Sequence, residues 1–139
     1  MKRSAGIMFV YRKKALLFHA TNAKDRTYMP PKGMIEENES AEEAASRETL
    51  EEAGIFYPAS KLKDSFTVDY TDNSGKVYKK AQIFVVKIEN LSEIGLEIET
   101  VNPSWMQLEE VDEGHFMGIE EIRNRALPRY VDHILKYLQ

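Results

Sequence analysis

Twenty-three residues, from Gly33 to Ile55, constrain this chain more than any other stretch. Ser40 followed by Glu43 forms a capping box, each side chain placed to satisfy an orphan backbone donor of a first helical turn. Ala41, Ala44, Ala45 and Leu50 are strong helix formers, no proline intervenes, and Gly54 supplies a residue suited to the position just past a helix end. The pattern predicts a helix over Ala41 to Ala53. At about 100° per residue, Glu48, Glu51 and Glu52 share one arc of that helix, since residues three and four apart are neighbours. Like charges at this spacing repel, and Arg47 is the only base between Gly33 and Ile55. A divalent cation would relieve the conflict, and Mg²⁺ in particular favours oxygen ligands. A solvated acidic helix face is the alternative. Against it, the remaining face is built of small alanines that permit close backbone approach, and Pro31-Lys32-Gly33 puts a bend and a cation beside the acids.

The spacing Gly33, five residues, Glu39, seven residues, Arg47-Glu48-Thr49-Leu50-Glu51-Glu52-Ala53-Gly54-Ile55 resembles the Nudix box, Gly-x5-Glu-x7-Arg-Glu-U-x-Glu-Glu-x-Gly-U, where U is a bulky aliphatic. All seven fixed positions match, Ile55 fits the second U, and Thr49 departs at the first. The resemblance implies a Nudix-like α/β/α sandwich with a mixed sheet and a metal-dependent phosphoanhydride hydrolase. It makes Glu48, Glu51 and Glu52 metal-ligand candidates, with the Lys32 carbonyl beside the box's first glycine. It also implies that Arg47 orients the carboxylates through a bidentate pair with Glu39 or Glu51, and that Gly33, Glu39 and Gly54 support the loop and helix. The base that activates water is, by the same resemblance, a box glutamate (Glu51 or Glu52) or a distant one before the last strand. Glu97 and Glu99 precede Trp105 in that region, and Glu99 is the preferred candidate. Lys32 is either a phosphate contact or a turn residue. Tyr28, Tyr70 and Tyr78 could stack on a base, with strand packing the alternative. Tyr28 stands where many family members carry tryptophan, and we take it as the substrate-binding candidate.

The rest of the chain agrees with one domain, residues 1–139. Ala5 to Tyr11 and Ala15 to His19 read as a hairpin around Arg12-Lys13-Lys14. Thr21 to Thr27 is a polar loop, and Pro30-Pro31 shortens the strand that enters the box. Ile55 to Tyr57 could open a strand. Ser65 to Thr71 and Val77 to Ile88 flank the turn Asp72-Asn73-Ser74-Gly75. Trp105 to Leu108 reads as the last strand, with an acidic turn from Glu109 to Gly114. Ile119, Ile122 and Ala126 form one helical stripe; Pro128 interrupts, and Val131, Ile134, Leu135 and Leu138 form another. His19, His115 and His133 show no metal-like spacing.

A net charge of −4 argues against a stable nucleic-acid partner. The absence of cysteine removes disulfides and thiolate chemistry. No run is long enough to span a membrane, and Met1-Lys2-Arg3-Ser4 leads into a strand, so a cytoplasmic location is expected. The expected partner is a small nucleotide-type substrate, the cofactor Mg²⁺ or Mn²⁺, and the state monomer or homodimer. Ser4-Ala5-Gly6 and Pro31-Lys32-Gly33 look most like the dinucleoside polyphosphate hydrolase branch, with diadenosine tetraphosphate as the type substrate. Oxidised nucleoside triphosphates, diphosphoinositol polyphosphates and nucleotide sugars are alternatives, as is a non-catalytic nucleotide-binding module.

Overall fold

A computed structural model describes all residues, Met1–Gln139. Seven strands form one mixed sheet: β1 (Lys2–Tyr11), β2 (Lys14–Ala20), β3 (Tyr28–Met29), β4 (Lys32–Met34), β5 (Ser65–Thr71), β6 (Val77–Lys87) and β7 (Val111–Met117). Three helices accompany them: α1 (Ala41–Ala53), α2 (Ile119–Arg125) and α3 (Pro128–Leu135). The backbone path runs β3-β2-β1-β6-β5, with β4 added to β1 and β7 to β2.

The layering follows from the two-residue period of the strands. In β1, Ala5, Ile7, Phe9 and Tyr11 face Ala44, Ala45 and Ala53 of α1, whereas Met8 and Val10 face the layer containing Tyr130 and Ile134 of α3. Central β6 divides the same way, Phe84 and Val86 to one side, Ile83 and Val85 to the other. A strand buried on both faces must be apolar throughout, which is why β1 and the second half of β6 read as unbroken hydrophobic runs. Each such side chain withdrawn from water contributes about 1.5–3 kcal/mol. The α/β/α sandwich is the architecture expected from the sequence.

Helix α1 begins and ends as its sequence dictates. Glu43 N–H donates to Ser40 Oγ at 3.0 Å, and Ser40 N–H donates to Glu43 Oε1 at 2.9 Å. Gly54 closes the helix at φ 72° and donates to the Leu50 carbonyl. Its alanines let the helix axis approach β1 closely, and that proximity sets the distance between the helix's acids and β4.

Three expectations are corrected. Ile55 to Tyr57 joins no sheet; Ile55 is buried, and the Tyr57 carbonyl accepts from Ser46 Oγ at 2.6 Å. Trp105 to Leu108 is not the last strand: Pro103–Trp105 is a 3-10 turn, and β7 occupies the segment expected to be an acidic turn. Composition misled here because β7 lies at the margin of the sheet, pairing β2 along its length and meeting the other side chiefly through Thr100. Its Asp112 and Glu113 therefore stay in water while Val111, Phe116 and Met117 are buried. Pro128 separates the two helices of the tail as expected, and it is itself the first residue of α3, where its missing N–H costs nothing.

Thr49, the departure from the aliphatic pattern, is fully buried and its hydroxyl has no hydrogen-bond partner. A buried unpaired hydroxyl is costly, and valine has nearly the same shape and the same χ1 stiffness. Thr49→Val is therefore expected to raise unfolding free energy by about 1 kcal/mol in denaturant titrations. An unchanged or lowered midpoint would show that the hydroxyl is satisfied in solution.

Candidate active site

The site is assembled where β4 crosses the first residues of β1. Ala5 pairs with Gly33 and Gly6 with Lys32. Both glycines mark close approaches: a Cβ at Gly6 would lie 1.8 Å from the Pro31 carbonyl oxygen, and one at Gly33 would lie 1.6 Å from Glu48 Oε2. The Glu48 carboxylate thus rests directly on the Gly33 backbone.

Arg47 organises the acids around it. Its Nε donates to Glu39 Oε2 at 2.8 Å and its Nη2 to Glu39 Oε1 at 2.9 Å, a bidentate pair. Nη2 also donates to the Met34 carbonyl at 3.0 Å, and Nη1 donates to Glu48 Oε1 at 2.7 Å and Glu51 Oε2 at 3.4 Å. The bond to Arg47 holds the Glu39 carboxyl below its ordinary range.

Beyond this hub, Lys32, Glu48, Glu51, Glu52, Lys79, Gln107 and Glu110 line a cleft of about 410 Å³. Glu110 arrives from the loop before β7. Gln107 N–H donates to the Glu52 carbonyl at 2.9 Å, and Thr21 N–H donates to the Glu110 carbonyl at 3.0 Å, so the turn is pinned between the end of α1 and the loop after β2. A smaller, more apolar recess shares Lys32, Glu52 and Glu110 and is walled by Phe18, Ala20, Met29 and Pro30.

The electrostatics follow from this crowding. Burial first, then repulsion from Glu48 and Glu110, pushes the Glu52 carboxyl up to about 7, against the pull of Lys32. Burial likewise raises Glu48 and outweighs Arg47. Burial and then Lys79 push the Lys32 ammonium down to about 8, opposed by Glu52 and Glu48. The acids are thus under-compensated despite Arg47.

The donor set of carboxylates and the Lys32 carbonyl suits a hard divalent cation, which would remove the repulsion that raises Glu52. As they stand, no three acidic side chains converge at ligand spacing. Glu48 and Glu51 are turned toward Arg47, and Glu51, with half its side chain exposed, is the one with room to swing.

The structure therefore brings together Lys32, Gly33, Glu39, Arg47, Glu48, Glu51 and Glu52, with Gly54 ending the helix behind them. It separates two expected residues from the cleft. Glu99 pairs with Lys14 Nζ at 2.8 Å and lines neither recess. Tyr28 is 1% exposed: its ring packs against His19 and His115, and its hydroxyl accepts from Arg125 at 3.0 Å. It has no free face for a base. Glu110, Gln107 and Lys79 were not anticipated. The expectation placed the distant glutamate just before the last strand, and the misplaced strand directed it to Glu97 and Glu99. With β7 starting at Val111, the same rule points to Glu110.

The NUDIX domain family model matches residues 1–130. The chain belongs to the NUDIX family, and with it to the hydrolases that act on acid anhydrides in phosphorus-containing substrates. No curated protein matches it. Among solved structures, it is similar to an Ap4A hydrolase from C. elegans, at 22% identity and TM-score 0.68, covering 98% of this chain and 94% of that one. It is also similar to a MutT NUDIX hydrolase from Burkholderia pseudomallei, at 18% identity and TM-score 0.61, covering 86% and 84%. A bifunctional NMN adenylyltransferase/ADP ribose pyrophosphatase from Francisella tularensis, complexed with AMP and Mn ion, matches at 15% identity and TM-score 0.71. That match covers 99% of this chain and 42% of the larger protein. At these identities the structural likeness establishes the fold.

A carboxyl whose folded pKa is raised binds its proton more tightly when folded, so its contribution to stability falls as pH rises. For Glu52 that fall spans the window from the ordinary value of 4.5 to about 7. Metal-free Glu52→Gln is accordingly expected to be more stable than the parent by about 1–2 kcal/mol at pH 8, with the difference vanishing near pH 4. Thermal melts in chelator across this range check it. A mutant less stable at pH 8 would mean that Glu52 serves as a structural ion-pair partner.

Proposed function

We propose that this chain is a single hydrolase domain that uses Mg²⁺ or Mn²⁺ to cleave a phosphoanhydride bond in a nucleoside diphosphate linked to another group, with dinucleoside polyphosphates the preferred class. The observation that carries the reading is that four glutamates and two lysines line one cleft beside the box helix. Such a mixture suits a phosphate chain bridged to carboxylates by a cation and held by ammonium groups.

Enzymes of this family work with a divalent cation, which when bound neutralises phosphate charge and lowers the pKa of a coordinated water. The chain's own groups divide the remaining work. Glu48, Glu51 and Glu52 on α1, Glu110 before β7 and the Lys32 carbonyl are the oxygen donors. Arg47 orients Glu48 and Glu51 while locking Glu39 to the loop. Lys32 and Lys79 attract phosphate oxygens. Glu52 is the assigned base, because its carboxyl lines both the acidic cleft and the adjoining recess where a phosphate chain would lie. Glu110 takes the place that Glu99 held in the sequence reading.

Two features support the dinucleoside class. Ser4-Ala5-Gly6 and Pro31-Lys32-Gly33, the segments that resemble that branch, are the ones that touch across β1 and β4. The C. elegans Ap4A hydrolase also matches over nearly the whole length of both chains.

A panel of nucleotides assayed with Mg²⁺, with products resolved by chromatography, tests the reading. Dinucleoside polyphosphates are expected to turn over fastest, with activity abolished by chelator and restored by Mg²⁺ or Mn²⁺. Activity persisting in excess chelator would remove the metal role. An oxidised nucleoside triphosphate preferred by an order of magnitude would assign the chain to a sanitising role instead. Within the same panel, Glu52→Gln is expected to lower the rate by roughly 10²–10⁴, the scale for losing a positioned acid–base group. A mutant retaining full rate would place the base elsewhere, with Glu110→Gln the next test.

A further inference from the structure

The end of β2, His19-Ala20-Thr21, meets the turn that carries Glu110 into the cleft, and the ladder between β2 and β7 slips at that point. His19 pairs with Glu113 and Ala20 with Val111, so Asp112 is an extra residue with no partner across the ladder. A bulge of this kind reverses the alternation of the strand beyond it. The reversal is visible in the packing, because Val111 and Phe116, five residues apart, share the core layer that holds the alanines of α1. In a regular strand an odd spacing would place them on opposite faces. The bulge therefore sets Val111 on the α1 side of the sheet, and Glu110, one residue earlier, lines the carboxylate cleft and the recess beside it.

Hydrogen bonds, rather than packing, hold this turn. Gln107, Leu108, Glu109 and Glu110 are all exposed, so no buried apolar side chain among them anchors it. Glu110 N–H and Val111 N–H both donate to the Gln107 carbonyl, which closes the turn on itself without fixing it to the rest of the molecule. One side is fixed to α1, through Gln107 N–H and the Glu52 carbonyl. The other side is fixed to the end of β2. Thr21 N–H donates to the Glu110 carbonyl at 3.0 Å, Thr21 Oγ1 donates to the Leu108 carbonyl at 2.8 Å, and His19 Nδ1 lies 2.9 Å from Oδ1 of the bulged Asp112. The backbone bond is open to any residue but proline at position 21, whereas the bond to Leu108 needs the hydroxyl.

We propose that Thr21 is a positioning residue of the hydrolytic site: its hydroxyl, acting with the bulge at Asp112, sets the reach of the Glu110 carboxylate into the cleft. The inference rests on the phosphoanhydride hydrolase reading above, in which Glu110 is an oxygen donor, and extends it to a residue outside the Nudix box. Thr21 itself lines neither recess, so its influence passes through the turn. An exposed turn that loses one of its few anchors samples other positions, and a displacement of about 1 Å is enough to cost rate at a reacting centre.

A double-mutant cycle tests this, combining Thr21→Val, which keeps the shape and removes the hydroxyl, with Glu110→Gln; Thr21→Ser is the rescue variant. Two quantities are read: kcat and KM with Mg²⁺ for the fastest nucleotide of the panel above, and Mn²⁺ affinity by calorimetry without nucleotide. Thr21→Val is expected to lower kcat and weaken Mn²⁺ binding roughly fivefold each, the scale of one ordinary hydrogen bond, with KM unchanged. Thr21→Ser is expected to match the parent. Beside Glu110→Gln, Thr21→Val is expected to have no further effect, as two residues acting through one carboxylate require. Melting curves check that each variant folds, and Thr21→Ala, which adds no bulk, replaces valine where it does not. Unchanged kcat and Mn²⁺ affinity, an effect that serine does not restore, or one that persists beside Glu110→Gln overturns the positioning role. If the parent cleaves no nucleotide, the hydrolase reading is what fails, and the Mn²⁺ cycle still decides whether Thr21 acts through Glu110. A parent that neither cleaves nor binds Mn²⁺ overturns both.

Discussion

The contact on which the rest of the site depends is the guanidinium of Arg47. It bonds the loop entering α1, through the Met34 carbonyl and both oxygens of Glu39, and at the same time the acids of the helix itself. Charge-assisted bonds of this kind are about twice as strong as neutral ones, and the planar fork fixes direction as well as distance. Without it, Glu39 and the Met34 carbonyl would lose their tie to the helix, and Glu48 and Glu51 would lose the cation that orients them. Lysine could supply the charge there but not the geometry.

That clamp works only because backbone and side chain are allowed to touch. Gly33 gives up its Cβ so that Glu48 can lie on it, and Gly6 gives up its own so that Pro31 can cross β1. The alanines of α1 lower the helix onto the sheet in the same way. Close approach carries an electrostatic cost, since it buries Glu48 and Glu52 beside each other and raises both. The cost is concentrated at the residues proposed to hold a cation, the pattern of a site that trades local stability for function.

Charges of both signs also meet at the cleft. Cations collect around Tyr70, and two of them, Lys32 and Lys79, line the acidic cleft as well.

How much of this was readable in the chain follows from the range of the interactions involved. Helix α1, its capping box, its Gly54 terminus and the arc of Glu48, Glu51 and Glu52 depend on neighbours within four residues, so the sequence alone determined them. The hairpins β1–β2 and β5–β6 were legible for the same reason, through turn chemistry and two-residue alternation. The family itself was legible because its signature is one contiguous box. The placement of β7, the withdrawal of Tyr28 into the layer beneath α2, the pairing of Glu99 with Lys14, and the arrival of Glu110 and Lys79 at the cleft were decided only by the tertiary structure. Each depends on contacts between residues far apart in the chain, where local composition is silent or, as with the acidic start of β7, points the wrong way. A marginal strand can be charged because one side is water, and a tyrosine can be either a platform or a core residue. Only the packing around it decides which.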